Sequence, residues 1–491
     1  MMSKPRQELQ NVLFILSDDQ GPWAMGCAGN SEIETPNLDR LAATGMRFEN
    51  FFCASPVCSP ARATLLTGRI PSQHGVHDWI AAGDTIAKYE PARNGELIEY
   101  LKDQPGYTDL LSAAGYHCGI SGKWHLGDSH HSQKSFEYWA VHAKGGGPYF
   151  NAPMIKNGEA YEEPAYVTDV ITDNALRWLD EQETDERPFY LSVHYTAPHS
   201  PWSRENHPAD VYDHYYNDCP FESIPDGLPT PEWVQYLSIP VETPEKRREY
   251  LSGYYAAVTA MDRNIGRLID WLEDRGLREE TLIVFTSDNG MNMGHHGVYG
   301  KGNATFPMNM FEESVKVPFI VSNPTCVPQA SVNSNLVSQY DFMPTLLEYV
   351  GIENPQADQL PGKSFAGVLR RAETAADSHI VVFDEYGPVR MIRNWRWKYV
   401  HRCAYGHNEL YDLRNDPAEA HNLSGNANYN SVEDGLRTRL AKWFSQYVHP
   451  QCDGANEIVT GSGQLGLCGA NADGRQAFST GRVTSILENM K

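Results

Sequence analysis

The chain has 491 residues, of which 41% are hydrophobic and 21% charged, proportions typical of a globular protein and not of a disordered or collagen-like one. Its 40 basic residues against 63 acidic ones leave a formal net charge of −23, which excludes nucleic acid and anionic membrane surfaces as non-specific partners. Any anion that it binds therefore needs a local cationic pocket, and at this length we expect more than one packed unit.

The polar start of the chain precedes an apolar run, Val12–Leu16, that is too short for a signal sequence or a membrane span. This start predicts a cytoplasmic protein without membrane association, or a periplasmic or secreted one if a signal peptide has been removed. Nine cysteines, an odd number without the spacing of a metal motif, exclude a framework in which every cysteine is disulfide-bonded.

Short apolar strands alternate with helices over most of the chain. The strands are predicted at Val12–Leu16, Phe189–His194, Thr281–Thr286 and Val317–Val321. Cap residues, first-turn prolines and closing glycines predict helices from Thr35-Pro36 to Gly45 and from Thr243-Pro244 to Gly276. Two further helices are predicted over Tyr166–Glu181 and Tyr340–Val350. The alternation predicts an α/β fold with a large, mostly parallel mixed sheet flanked by helices, whose ligand sites lie beyond the carboxyl ends of the strands.

The pattern changes after about residue 375. Closely spaced strands are predicted at His379–Phe383, Val389–Arg393, Arg396–His401 and Glu409–Leu413, followed by an amphipathic helix around Val432–Tyr447. We therefore predict an α/β domain over residues 1–375 and a smaller unit with an antiparallel sheet and a helix over residues 376–491. The last forty residues, rich in glycine and asparagine, are expected to be an irregular wrapping or a loosely held tail.

Acidic side chains follow two of the predicted strands. Asp18 and Asp19 come directly after the first strand, and Asp288 and Asn289 follow the strand that begins at Thr281. If these strands are neighbours, three carboxylates and an amide meet at one edge of the sheet, where a cation would offset their repulsion. Oxygen ligands select Ca²⁺ or Mg²⁺, and Ca²⁺ tolerates irregular geometry better. Either acidic pair alone would indicate only a turn or a helix cap.

Cys58 lies before Pro60, a residue typical of the first helical position, and Arg62 falls four residues on along the same helical face. Amide groups at the N-terminus of a helix favour negative charge. An unmodified Cys58 is therefore a candidate thiolate nucleophile.

Six segments follow one another along the chain: Ser17-Asp18-Asp19-Gln20; Cys58-Ser59-Pro60-Ala61-Arg62 with Leu66-Thr67-Gly68-Arg69; Gly122-Lys123-Trp124-His125-Leu126-Gly127; Ala197-Pro198-His199-Ser200-Pro201; Ser287-Asp288-Asn289-Gly290; and Gly300-Lys301-Gly302. Together they resemble the type I sulfatases, a branch of the alkaline phosphatase superfamily. The segment Leu410–Pro417 resembles the C-terminal subdomain of that family. Ala61 stands where the commonest signature has serine, whereas the Cys-x-Pro-x-Arg pattern is intact.

The resemblance implies an alkaline phosphatase-like fold and an enzyme that hydrolyses a sulfate ester. It implies a maturation enzyme that oxidises Cys58 to Cα-formylglycine, whose hydrate attacks sulfur beside a Ca²⁺ or Mg²⁺ ion. The implied metal ligands are Asp18, Asp19, Asp288, Asn289 and the modified Cys58. Arg62 and Lys123 are implied to stabilise the formylglycine oxygens, and His125 to deprotonate the second hydroxyl. Lys301 and His199 are implied to bind the sulfate, and His199 also to act as the acid for the leaving oxygen.

The sequence says less about the substrate. The segment His77-Asp78-Trp79 combines polar and aromatic groups suited to a sugar ring, and Asn303 and Arg390 are further candidates. We expect a sulfated mono- or oligosaccharide. The alternatives are an aryl sulfatase of broad specificity, a phosphodiesterase or phosphonate monoester hydrolase of the same superfamily, and a silent binding protein in which Cys58 stays a thiol. The oligomeric state is not predicted.

Overall fold

The computed structural model describes residues 10–85, 96–182, 185–370, 381–469, 472 and 474–489. The strands, in chain order, are β1 (Asn11–Ser17), β2 (Met46–Phe52), β3 (His117–Lys123), β4 (Tyr138–His142), β5 (Ala152–Lys156), β6 (Glu159–Glu163), β7 (Phe189–His194), β8 (Tyr236–Leu237), β9 (Thr281–Ser287), β10 (Asn292–Met293), β11 (Tyr299–Gly300), β12 (Thr305–Phe306), β13 (Lys316–Ser322), β14 (Ser331–Asn333), β15 (Val337–Ser338), β16 (Val382–Tyr386), β17 (Val389–Arg393), β18 (Trp397–Arg402) and β19 (Glu409–Asp412).

The helices are α1 (Pro36–Ala43), α2 (Cys58–Thr67), α3 (Pro71–His74), α4 (Tyr107–Ala113), α5 (Val167–Glu181), α6 (Ala209–Asp218), α7 (Pro244–Asp274), α8 (Glu312–Val315), α9 (Phe342–Tyr349), α10 (Ala366–Leu369), α11 (Asn430–Tyr447) and α12 (Thr484–Asn489). Short 3₁₀ turns connect several of them.

Among the described residues, one large sheet has the strand order β14-β2-β13-β9-β1-β7-β3-β4-β5-β6, with β15 also paired to β2. Its centre, from β9 to β4, is parallel, and antiparallel pairs occur toward both edges. Strands β16 to β19 form a separate antiparallel sheet, and α11 packs on it. The predicted fold class is confirmed.

The central strand β1 explains why the sheet is covered on both faces. Val12, Phe14 and Leu16 point into one hydrophobic cluster, which includes α2 and α9, and the alternate residues Leu13 and Ile15 point into another, which includes α1, α5 and α7. All five side chains are at most 1% exposed. Each such burial contributes about 1.5–3 kcal/mol to folding, so a continuous apolar strand is stable only between two helical layers.

The predicted strands and helices are present, with ends shifted by a few residues, but two local predictions are wrong. The side chain of Thr35 does not cap α1, since it accepts a hydrogen bond from the N–H of Gly26. The carboxylate of Asp262, on α7, instead accepts from the backbone of Leu38 at 2.7 Å in the first turn of α1. Pro60 is the third residue of α2 and not the first, because the helix begins at Cys58.

Apart from short 3₁₀ turns and α12, the described residues after α11 are irregular, and they pack on the loop that carries Ile80. Isolated bridges join Gln464 to Ile80 and to Phe478. The predicted boundary at residue 375 and the first two residues of the predicted strand His379–Phe383 lie outside the described residues, so the division of the chain there stays a prediction. All nine cysteines are free thiols. Within the described part of the chain, no helix is both long and apolar enough to cross a bilayer.

Candidate active site

The carboxyl ends of two neighbouring parallel strands bring the predicted acidic residues together. β1 and β9 are paired as far as Ser17 and Ser287, so the residues that follow them emerge side by side. One ligand atom from each of Asp18, Asp19, Asp288 and Cys58 lies within 4.8 Å of the other three, and all four residues are buried. The condition that the sequence analysis attached to a metal site, adjacency of these strands, is therefore fulfilled.

Asp19 adopts a left-handed backbone conformation, with a φ of 66°. Non-glycine residues rarely do so without support from their surroundings. Here the N–H of Asp19 donates to Oδ1 of Asp288 at 3.2 Å, and the hydroxyl of Tyr254 donates to the carbonyl of Asp19 at 2.8 Å. These bonds hold the Asp19 carboxylate toward its neighbours.

Three buried cations pair one to one with the three carboxylates. Arg62 donates from Nε to Asp288 at 2.8 Å, and Lys123 donates to Asp18 at 2.5 Å. Lys301 forms an ion pair with Asp19 and also donates to Sγ of Cys58 at 2.6 Å. Breaking such a pair would leave an uncompensated buried charge, which costs several kcal/mol, about 3–5.

The charges around each acid move its pKa in a different way. Burial raises the pKa of Asp18 above its ordinary value, and the positive charge of Lys123 offsets only part of this. Burial acts in the same direction on Asp19 and Asp288, but nearby cations, Lys301 foremost for Asp19 and Arg62 foremost for Asp288, outweigh it and hold both pKa values low.

Cys58 lies at the first position of α2 and is only 2% exposed. Burial, reinforced by the charge of Asp18, raises the pKa of its thiol well above the ordinary range. Burial of the unmodified side chain therefore opposes the activated thiolate that its position at the helix N-terminus suggested.

The donor atoms fit a hard divalent cation. Asn289 donates from Nδ2 to Oδ1 of Asp19 at 2.8 Å, but its own Oδ1 is buried and forms no hydrogen bond. An unpaired amide oxygen beside three carboxylates is unusual in a protein interior unless an ion or water satisfies it. Carboxylate and amide oxygens are the ligands of Ca²⁺ and Mg²⁺, so the five implied ligands are compatible with either ion.

A cavity of about 310 Å³ opens onto Cys58. It is lined by Cys58, Trp79, Ile80, Ala81, Asp84, His125, Lys144, Gly145, Gly146, His199, Lys301, Asn303 and Arg482. We call Cys58, His125, His199 and Lys301, with the carboxylates behind them, the base of the cavity. Trp79, Lys144, Asn303 and Arg482 form its rim.

The two histidines of the base are oriented by backbone carbonyls. Nε2 of His125 lies 3.0 Å from the carbonyl of Ile80, and Nδ1 of His199 lies 2.7 Å from that of Ser200, so each of these nitrogens carries a proton. Nδ1 of His125 has no hydrogen-bond partner. Burial holds the pKa of His125 well below its ordinary value, so the ring is neutral and this nitrogen is an acceptor.

A glycine pair that the sequence analysis did not single out packs against these rings. A Cβ added to Gly145 would lie 2.1 Å from Cε1 of His125, and one added to Gly146 would lie 2.9 Å from Cε1 of His199. The run Gly145-Gly146-Gly147 was the available signal, because consecutive glycines often mark a close approach of the backbone to other atoms.

The residues expected to contact substrate separate into two groups. Trp79 and Asn303 line the cavity, as does Arg482, which the sequence analysis did not identify. His77 and Asp78 are fully buried and bind residues of the irregular C-terminal region: the His77 ring lies 2.9 Å from the carbonyl of Cys452, and Asp78 accepts from the N–H of Gly463.

Arg390 also lies away from the cavity. Its guanidinium pairs with Asp453 and stacks 4.0 Å from the ring centre of Phe444. His77, Asp78 and Arg390 thus hold the C-terminal region in place, and this geometry gives no support to their expected contacts with substrate.

Comparison with known proteins is consistent with this arrangement. A model of the sulfatase family matches residues 10–352, and a model described as N-sulphoglucosamine sulphohydrolase, C-terminal, matches residues 294–446. The chain is 28% identical over 520 aligned residues to an N-acetylglucosamine-6-O-sulfatase of Bacteroides thetaiotaomicron, with 90% of this chain and 88% of the relative covered. It is 29% identical over 460 residues to an ulvan-active sulfatase of Formosa agariphila, with 89% and 81% covered.

A solved structure is also similar over most of its length. It holds a protein in complex with its substrate, D-glucosamine-2-N,6-O-disulfate. The TM-score is 0.72 at 27% identity, and the match covers 91% of this chain and 99% of that one.

Proposed function

The chain belongs to the sulfatase family and is a sulfuric ester hydrolase, and from this premise we propose that it releases sulfate from a sulfated mono- or oligosaccharide. The observation that carries the proposal is the cavity itself, which ends at Cys58 and Lys301 directly in front of the acidic cluster. Its volume, about 310 Å³, is at the lower end of the range for small-molecule sites. A terminal sugar fits such a space.

Two groups complete the site in this proposal. A divalent cation, Ca²⁺ or Mg²⁺, would be held by Asp18, Asp19, Asp288, Asn289 and the side chain at position 58, and when bound it would withdraw electron density from sulfate oxygens. Cys58 would be converted to Cα-formylglycine by a maturation enzyme of the host cell, and its hydrate would supply an oxygen nucleophile.

The chain's own residues would move protons and hold charge. Lys301, at the base of the cavity, would bind a sulfate oxygen. His199 would donate a proton from Nε2 to the departing sugar oxygen, while its Nδ1–H stays bonded to the carbonyl of Ser200 and orients the ring. His125, neutral and with a free acceptor at Nδ1, would take the proton from the nucleophilic side chain after transfer.

The rim supports a sugar in preference to a simple aromatic sulfate. Trp79 offers a ring for stacking, and Asn303 and Asp84 offer polar groups near the same space for hydroxyls. Two relatives whose names state a carbohydrate substrate match the chain over about nine tenths of its length, 90% and 89%.

The proposal is tested with protein expressed beside a maturation enzyme. The mass of the Cys58 peptide is expected to show the aldehyde, and sulfate release is expected from a panel of sulfated monosaccharides and from 4-nitrophenyl sulfate. A phosphodiester or phosphonate monoester with the same aryl group is the counter-substrate, and a preference for it by orders of magnitude would overturn the assignment. A retained thiol together with no turnover would favour the silent binding protein.

A further inference from the structure

One wall of the cavity comes from residues far along the chain from the base. We call residues 459–469 and 474–483 the closing segment. Near its start, Gln464 is fully buried and pairs through its backbone with Trp79 and Ala81, each at 2.8 Å. The Gln464 side chain also accepts from the N–H of His77 at 2.8 Å. The closing segment is therefore fixed to the loop that carries Trp79.

Arg482 reaches the cavity from the end of this segment. Its guanidinium lies over the indole of Trp79, 5.6 Å from the ring centre, within the range of a cation–π contact. The indole is itself held by a hydrogen bond from Nε1 to the carbonyl of Gly461 at 3.1 Å. The next residue, Val483, is buried. The backbone and the ring thus place an exposed positive charge at the rim.

Arg482 differs from the cations of the base in that no carboxylate in the described part of the chain neutralises its charge. Lys301 and Lys123 each pair with one carboxylate of the acidic cluster. Among the described residues, the guanidinium of Arg482 forms no ion pair and no hydrogen bond. The charge of Arg482 acts on the carboxylate of Asp78 from a distance. The oxygens of Asp78 accept their hydrogen bonds from the N–H groups of Gly463 and Trp79 and from a tyrosine hydroxyl instead.

A second cation, Lys144, lines the same cavity beside the glycines that pack on the base histidines. The carboxylate of Asp84 lines the same cavity, and the two cations outnumber it there, although the chain has a net charge of −23. The sulfate at the base has Lys301 as its own cation. A guanidinium on an aromatic face is suited to a planar or tetrahedral anion. The rim therefore has the composition of a second anion site.

We propose that Arg482, assisted by Lys144, binds a second anionic group of the substrate, a sulfate or a carboxylate. The preferred substrate is then a saccharide that carries at least one negative charge besides the ester that is hydrolysed. This inference rests on the proposed function and names the substrate class within it. Arg482 acts in binding and not in the chemical step.

The test compares matched substrates on fully converted, metal-loaded enzyme. At the ester position that the wild type hydrolyses, kcat/KM is measured for a monosulfated hexose, for the disulfated hexose and for a monosulfated disaccharide with a uronate. We expect the wild type to favour one or both dianions by about 10-fold or more, and Arg482→Gln to lower kcat/KM on them by about 10- to 100-fold through KM. A preference for the disulfated hexose would identify the second anion as a sulfate, and a preference for the uronate disaccharide would identify it as a carboxylate.

Two variants separate binding from structure. Arg482→Lys is expected to recover part of the preference because it keeps the charge, and Arg475→Gln, which alters an exposed arginine of the same region paired with Glu96, is expected to leave all substrates unchanged. Equal losses on the monosulfated hexose and on the two dianions, or no loss, would overturn the inference while the proposed function stands. Absence of sulfate release from every substrate, 4-nitrophenyl sulfate included, would overturn both.

Discussion

The base and the rim of the cavity are held by different parts of the molecule. The base is built from the ends of two central strands and the start of a buried helix, and its charges are paired within a few ångströms. The rim is built from loops and the closing segment, and among the described residues the Arg482 guanidinium there has an aromatic contact but no ion pair. Rigid, compensated charges suit a reaction common to a family, whereas loops on a scaffold can vary to select a substrate.

The largest expected effect concerns the nucleophile. Cys58→Ala should lower kcat by at least about 10⁴-fold, the scale seen when a nucleophile is removed. The unfolding temperature should stay close to that of the wild type and most of the metal should stay bound, because Asp18, Asp19, Asp288 and Asn289 remain. Cys326→Ala, at an exposed cysteine away from the cavity, is the control and should remain fully active. Turnover by the Cys58 variant would mean that the base does not contain the nucleophile.

The acidic cluster is tested by an isosteric change. Asp288→Asn should reduce metal content and lower activity by more than about 100-fold, because a ligand matters at least as much as the groups that orient ligands. Asp262→Asn alters a buried carboxylate that binds the first turn of α1, so it should cost stability but leave metal content unchanged. Unchanged metal in Asp288→Asn would place the ion elsewhere.

The glycine pair lies between the base and the rim, and a change there should affect the chemical step. Gly145→Ala would bring a Cβ to 2.1 Å from the ring of His125, and displacement of a catalytic group by about 1 Å can cost about 100-fold. We expect kcat to fall by about 10- to 100-fold. Gly435→Ala, where a Cβ meets nothing within 4 Å on α11, is the matched control and should stay fully active. Equal kcat values in both variants would show that His125 has freedom to move.

The smallest effect should come from loosening the rim. Gln464→Ala removes hydrogen bonds to His77 and Gly75 and leaves their groups buried, at a cost of about 1–3 kcal/mol. KM for saccharides should rise by more than KM for 4-nitrophenyl sulfate. Gln476→Ala, an exposed glutamine of the same segment, is the control. A fall in kcat on both substrates would mean that rim and base are not independent.

The contrast between base and rim also explains which parts of the fold and of the site could be predicted from the sequence. The sequence of β1 alone predicts a central strand, because a continuous apolar strand must be buried on both faces and few other positions in a fold allow that. The adjacent acids Asp18 and Asp19 then mark the end of the strand where the site lies. The cap of α1 could not be predicted in the same way. Thr35 has the right side chain, but Asp262, more than two hundred positions away, takes the role.

The rim shows the same limit more clearly. His77, Asp78 and Trp79 are consecutive and look equally suited to a sugar, yet only Trp79 reaches the cavity, because the other two bind the C-terminal region. Arg482 is one of two arginines in an irregular stretch, without a motif around it. Its role depends on a contact with Trp79 that no local pattern encodes.

The distance in sequence between Lys301 and Arg482 also sets an order of events on the ribosome. Every side chain of the base has been translated by residue 301, whereas the wall carried by Gln464 and Arg482 arrives on the order of 10–40 s later at about 5–20 residues per second. Cys58, which is 2% exposed once folding is complete, is therefore translated well before this wall can cover it.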